Sequence, residues 1–186
     1  MELAYDFGFT NQALNGNISG TVWRNAEDGQ QRAYGFTYDN TNRLTEADFT
    51  QNTGSAWNTS GGVDFSVHSI KYDLDGNITA LNQEGVVLNT KTLIDSLVYG
   101  YNTTSNQLNY VTDKVNNTTA NLGDFTEINN NTSQDYTWDG NGNLTVDNNK
   151  NISNIHYNYM NLADSVTCAF HGDYEAKRSN FRMLCF

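Results

Sequence analysis

Large apolar residues occupy every second position in several short stretches of this chain. In residues 34–38, 97–101 and 136–138, an aromatic residue or a leucine recurs at alternate positions. Alternate side chains of an extended strand point to opposite faces, so a period of two collects the large apolar side chains on one face. The pattern therefore predicts short, half-buried β-strands.

These strands belong to one short unit that recurs along the chain. The unit is an alternating segment that ends in an aromatic residue and Asp or Asn, followed by a polar turn and an aliphatic residue. Its copies span residues 33–44, 68–78, 97–108 and 135–144, with a degenerate last copy at 155–162. In three copies the aromatic and the aliphatic residue are six positions apart: Tyr38 and Leu44, Tyr72 and Ile78, Trp138 and Leu144. This spacing predicts hairpins whose two strands share an apolar face.

The residue after each aromatic is predicted to form the turn. At these positions the chain has Asp39, Asp73, Asn102 and Asp139. An Asp or Asn side chain accepts hydrogen bonds from backbone N–H groups two residues further on, and nearby Gly or Asn residues tolerate the left-handed backbone that tight turns need. A calcium loop is the alternative, because Asp73, Asp75 and Asn77 match the first EF-hand ligands, but Ile78 stands where that loop requires Gly. We therefore predict structural turns and no metal site.

Each hairpin has one apolar face that it cannot bury alone, and stacking hairpin on hairpin would bury it. The predicted fold is all-β, with stacked antiparallel β-hairpins forming a curved or spiral repeat sheet over residues 1–166. Residues 167–186 depart from the repeat and are predicted to form an irregular tail. Both cysteines lie there. A disulfide between Cys168 and Cys185 is one alternative, and a reduced pair is the simpler expectation, since residues 1–10 show no signal peptide.

The composition and net charge of the chain disfavour several classes of function. The chain has 29 Asn, 21 Thr and no Pro, yet its aromatic content of 12% argues against disorder and favours a turn-rich, aromatic-cored β protein. A net charge of −11 disfavours binding to nucleic acid or to an anionic membrane surface. No apolar run approaches the roughly 18 residues that a spanning helix needs, which predicts no membrane span.

Candidate chemistry is sparse. The chain has three histidines and shows neither a nucleophile-elbow motif nor a phosphate-binding loop, so we predict a non-enzymatic protein without a cofactor. Cys168, His171 and Cys185 do not have the spacing of a zinc site and lack a fourth ligand. Trp23 and Trp57 lie outside the periodic aromatic face and are candidates for a carbohydrate-binding surface, with packing against the next hairpin as the alternative.

Five tracts resemble the YD, or RHS, repeats of bacterial surface and toxin-delivery proteins. They are NGNISGTVWRN, YGFTYDNTNRLTEADF, YDLDGNITAL, YGYNTTSNQL and DYTWDGNGNLT, and the resemblance covers residues 12–166 in an Asn-rich form similar to that of Bacteroidetes members. In that family, β-hairpins wind into a spiral sheet that forms a hollow shell, often around a C-terminal toxin. The family's self-cleaving core segment contains Pro, which this chain lacks, so that activity is not carried over.

The resemblance implies a non-enzymatic structural scaffold, a fragment of a shell associated with a secreted or surface toxin or effector system. Its partners would be further YD repeats or an enclosed effector domain, and its location would be extracellular or at the cell surface as part of a longer exported protein. The alternative is a cell-surface module that binds carbohydrate or a partner through its sheet. A third hypothesis is a degenerate gene remnant, because the repeat pattern stops before the tail. Open sheet edges of a scaffold fragment would favour association of chains.

Overall fold

A computed structural model describes residues 1–116, 123–127 and 130–168, and these residues form an all-β structure. The strands are β1 (Glu2–Ala4), β2 (Gly20–Arg24), β3 (Gln31–Tyr38), β4 (Leu44–Asn52), β5 (Trp57–Asn58), β6 (Val67–Tyr72), β7 (Ile78–Val87), β8 (Thr90–Tyr101), β9 (Leu108–Asp113), β10 (Tyr136–Trp138), β11 (Leu144–Asp147), β12 (Ile152–Tyr157) and β13 (Ala163–Cys168). A single turn of 3₁₀-helix, Asn148–Lys150, separates β11 from β12. No helix in the described part of the chain is long and apolar enough to cross a membrane.

Nearly every strand pairs with its neighbour in sequence. The first sheet has the order β1-β2-β3-β4-β6-β7-β8-β9, with β5 paired to β4, and the second has the order β10-β11-β12-β13. The strand pairs whose registers are resolved are antiparallel, as short hairpin connections require. The prediction of an all-β, antiparallel fold is confirmed, whereas the spiral arrangement of the YD-repeat family stays a prediction.

The chain divides into two compact units. The first contains Met1–Val98 with Asp113–Thr126, and the second contains Tyr99–Thr112 with Glu127–Phe186. Strand β13 continues to Cys168, two residues beyond the predicted end of the repeat domain. The rest of the predicted tail, with His171 and Cys185, lies outside the described residues.

An aromatic cluster lies on one face of β2, β3 and β4 in the first unit. The Trp23 and Tyr34 rings stack with centroids 5.5 Å apart, and Tyr34 stacks in turn on Phe36 at 6.2 Å. Phe49 is the cross-strand partner of Tyr34 and is only 2% exposed, and its ring meets that of Phe65 edge to face. Such stacked and edge-on pairs add to the stability that burial provides.

The opposite face of the same strands carries small residues. Gly20 and Gly35 are cross-strand partners, and the ring of Phe9 lies over both of them. A Cβ atom at Gly20 would overlap this ring, so only the pair of glycines allows the close approach. Phe9 thereby shields the backbone that the two glycines leave uncovered.

Candidate functional site

Three of the four predicted turn residues, the aspartates, share one geometry. Oδ1 of Asp39 accepts the backbone N–H groups of Thr41 at 2.8 Å and of Arg43 at 2.9 Å. The same two bonds, from the residues two and four positions further on, recur at Asp73 with lengths of 2.9 and 2.8 Å and at Asp139 with lengths of 2.9 Å each. Each Asp is therefore a turn former whose carboxylate is engaged by its own loop.

Two further turns use an amide at this position. Asn158 Oδ1 accepts the N–H groups of Met160 at 2.9 Å and Leu162 at 3.2 Å, which reproduces the Asp geometry without a charge. The Asn102 turn is one residue longer, and its backbone N–H donates to the carbonyl of Gln107 at 2.9 Å. The charge of the Asp residues is thus not needed for the shape of the turn.

Hydrogen bonding lowers the pKa of the three turn carboxyl groups. The main cause is the backbone N–H of Arg43 for the pKa of Asp39, and a side-chain bond from Asn77 for the pKa of Asp73. The side chain of Asn143 does the same for the pKa of Asp139. All three donors stabilise the ionised carboxylate.

A second repeated contact joins each hairpin to the one before it. The polar atom of the repeat aromatic donates a hydrogen bond to the backbone carbonyl of the aliphatic residue that closes an earlier turn. The bonds run from Tyr38 Oη to Ile18 O (2.8 Å), Tyr72 Oη to Leu44 O (2.7 Å), Trp138 Nε1 to Leu108 O (2.9 Å) and Tyr157 Oη to Leu144 O (2.9 Å). We call this series the aromatic ladder. Sequence reasoning assigned these rings to an apolar face and missed their polar atoms.

Asparagine side chains link neighbouring turns as well. In each unit the amide oxygen of a left-handed Asn accepts hydrogen bonds from two Asn amides of an earlier turn. Asn42 accepts from Asn15 at 2.6 Å and Asn17 at 3.2 Å, and Asn161 accepts from Asn141 at 3.0 Å and Asn143 at 3.1 Å. This contact gives the high Asn content a structural role beyond turn formation.

A groove of about 490 Å³ lies on the small-residue face of the first unit. Its floor includes Ala33 and Gly35 of β3, and the segment that contains Phe7 and Phe9 also lines it. Trp57 of β5 contributes an aromatic ring that is 43% exposed. Polar side chains from Glu2, Thr10, Asn11, Asp48 and Thr50 complete the lining.

The two tryptophans predicted to share a binding surface lie apart. Trp57 lines the groove, whereas Trp23 stacks on Tyr34 and contacts Phe49 in the aromatic cluster. Val22, the neighbour of Trp23 in β2, lines the groove, and adjacent side chains of a strand point to opposite faces. The structure therefore brings only Trp57 together with the polar groups that a ligand would need.

Sequence reasoning missed a cluster of three carboxylates in the first unit. Asp95, Asp113 and Asp124 place carboxylate oxygens within 4.8 Å of one another, although they lie far apart in sequence and match no motif. Their signal in the sequence was weak, because nothing local distinguishes them from the acidic residues of the turns.

Comparison with known proteins returns no match for this chain: no protein-family model, no curated protein and no solved structure is similar to it. The resemblance to YD repeats thus rests on the sequence tracts alone.

Proposed function

We propose that this chain is a non-enzymatic structural scaffold, a segment of a wall built from stacked β-hairpins in a secreted or surface toxin or effector system. The aromatic ladder carries the proposal. Because four hairpins repeat this contact with a tyrosine hydroxyl or an indole N–H as donor, a further hairpin of this kind can be added by repeating it once more. The natural partners are then further YD repeats or an effector domain that they enclose.

The end of the first sheet supports this proposal. Strand β1 is terminal in the strand order, so one side of it presents backbone groups that could pair with another strand. Two exposed leucines provide a test of this edge and its control. Leu3 lies in β1, whereas Leu14 lies outside the strands.

Light scattering across a dilution series of the full chain tests the proposal that the chain is a scaffold segment. We expect the mean mass to rise with concentration, because the open edge pairs with a second chain. Leu3→Lys should shift this association to higher concentration, since lysine on an edge strand opposes strand pairing. Leu14→Lys adds the same charge outside the sheet and should leave the association unchanged. A strict monomer at all concentrations, or equal effects of both variants, would count against the scaffold.

Carbohydrate binding is the second candidate, and the groove favours it. Sugars are recognised by aromatic rings that pack on their C–H faces and by carboxylate or amide groups that bond their hydroxyls. The groove offers Phe7 and Trp57 as exposed rings, with Asp48, Asn11 and Glu2 as polar partners. In this alternative the chain is a binding module at the cell exterior.

A glycan-binding assay with the two tryptophan variants tests this candidate. Trp57→Ala should abolish binding to oligosaccharides while the far-ultraviolet circular dichroism spectrum stays unchanged, because the ring is half exposed. Trp23→Ala should lower the free energy of unfolding by about 2 kcal/mol, because this half-buried ring would lose its packing on Tyr34 and Phe49. Absence of saturable binding by the unmodified chain, or retained binding by Trp57→Ala, would contradict the groove as a sugar site.

A further inference from the structure

Three carboxylates of the first unit lie close together. Asp95 lies in β8, Asp113 ends β9, and Asp124 follows in the segment after that strand. Asp95 is 1% exposed and Asp113 is fully buried. Acidic residues are rarely buried to this extent unless their charge is compensated.

Backbone groups hold two of these carboxylates in place. Asp113 Oδ1 accepts the N–H groups of Ser96 at 2.8 Å and Val115 at 3.0 Å. Asp95 Oδ1 accepts the N–H of Phe125 at 2.7 Å, which brings the segment of Asp124 against the sheet. These bonds fix the positions of the two carboxylates. Burial raises the pKa of Asp95 in spite of the bond from Phe125, and the nearby charge of Asp113 adds to the increase.

Asp124 differs from the other two. Both of its carboxylate oxygens are buried, with less than 1 Å² of accessible surface each, and neither has a hydrogen-bond partner among the described residues. One of them lies within 4.8 Å of a carboxylate oxygen of Asp95 and of one of Asp113. Burial, with the repulsion of Asp95 and Asp113 added, raises the pKa of Asp124 to about 6. An unpartnered buried carboxylate directed at two other carboxylates is a costly arrangement for the protein alone.

We propose that Asp95, Asp113 and Asp124 bind a calcium ion. Carboxylate oxygens are the ligands that hard divalent cations prefer, and Ca²⁺ binds them at about 2.4 Å, so two ligands of one ion lie at most about 4.8 Å apart. The three carboxylate oxygens satisfy this limit for every pair. The site differs from the EF-hand-like stretch at Asp73, whose carboxylate is occupied by its own turn. Bound calcium would fasten the segment of Asp124 to the middle of β8 and the end of β9.

Calorimetric titration of the full, metal-free chain with CaCl₂ tests the site. We expect one saturable binding event, and a rise of about 5 to 10 °C in the midpoint of thermal unfolding at a calcium concentration of about 100 times Kd. Asp124→Asn should weaken binding at least about tenfold, because it removes one charged ligand. The same variant should raise the midpoint in the metal-free state, because it relieves repulsion among the carboxylates. A variant that lost its fold would show a lower unfolding midpoint. Weaker calcium binding together with a higher midpoint therefore indicates loss of a ligand.

Asp75→Asn is the matched control. It removes one exposed carboxylate from the EF-hand-like stretch, and it should leave calcium affinity unchanged. Asp95→Asn is a second ligand variant, since its amide oxygen can still accept the N–H of Phe125, and it should weaken binding as Asp124→Asn does.

Several outcomes would overturn the proposal. They are the absence of binding heat together with an unchanged unfolding midpoint, equal calcium affinity in Asp124→Asn and the unmodified chain, and loss of binding in Asp75→Asn alone. Titration with MgCl₂ checks the choice of ion, because Mg²⁺ needs shorter, near-octahedral contacts. Tighter binding of Mg²⁺ than of Ca²⁺ would refute the assignment to calcium.

Discussion

A single side-chain oxygen organises each hairpin turn at the residue scale. Asp73 and Asn158 place their Oδ1 atoms on the same pair of backbone N–H groups, so an amide reproduces the geometry of a carboxylate. The carboxylate differs in that its pKa is lowered, mainly by the side-chain amide of Asn77 and further by these backbone donors. Part of the stability of the Asp turns must therefore depend on pH, whereas that of the Asn turns does not.

Acid should destabilise the protein through these turns. The folded-state pKa of Asp73 lies below its unfolded value of 3.8, so the contribution of this carboxylate is complete above pH 4 and is lost as pH falls further. Asp73→Asn should thus reduce the difference in the free energy of unfolding between pH 7 and pH 3, measured by urea denaturation. Asp75→Asn changes the same charge two residues away and should leave that difference as it is. If both variants act equally, net charge rather than the turn governs acid sensitivity.

The aromatic ladder acts at the scale of elements, because it determines which hairpin packs on which. Tyr72 of β6 reaches the carbonyl of Leu44 at the start of β4, and Arg43 lies over the Tyr72 ring at 4.5 Å. Trp138 replaces tyrosine in β10 and still supplies a donor at the same place. What the position requires is thus a large ring with a polar hydrogen at its far end.

Removing one ladder hydroxyl should destabilise the sheet measurably. Tyr72→Phe leaves the Leu44 carbonyl without this donor and should lower the free energy of unfolding by about 1 kcal/mol. The control is Tyr159→Phe, the same change at a side chain that is 93% exposed. Urea denaturation of both variants gives the comparison, and an unchanged midpoint for Tyr72→Phe would show that the ladder bonds add no net stability.

At the scale of the whole molecule, local sequence rules determined the secondary structure. The alternation of apolar residues and the Asp or Asn turns predict antiparallel hairpins, and β3 with β4 and β10 with β11 are such hairpins. These features could be predicted because their bonds join residues two and four positions apart, which one short tract specifies in full.

Contacts between distant residues were decided only by the tertiary structure. Trp57 lines the groove because β5 pairs with the end of β4. Trp23 packs in the aromatic cluster because its side chain points to the other face of the sheet. The carboxylate cluster required β8, β9 and the following segment to meet. The sequence by itself determined hairpins and turns, where the interacting groups are neighbours in the chain. Which distant rings and charges meet depends on packing between strands, and the alternation within one strand does not specify its partners.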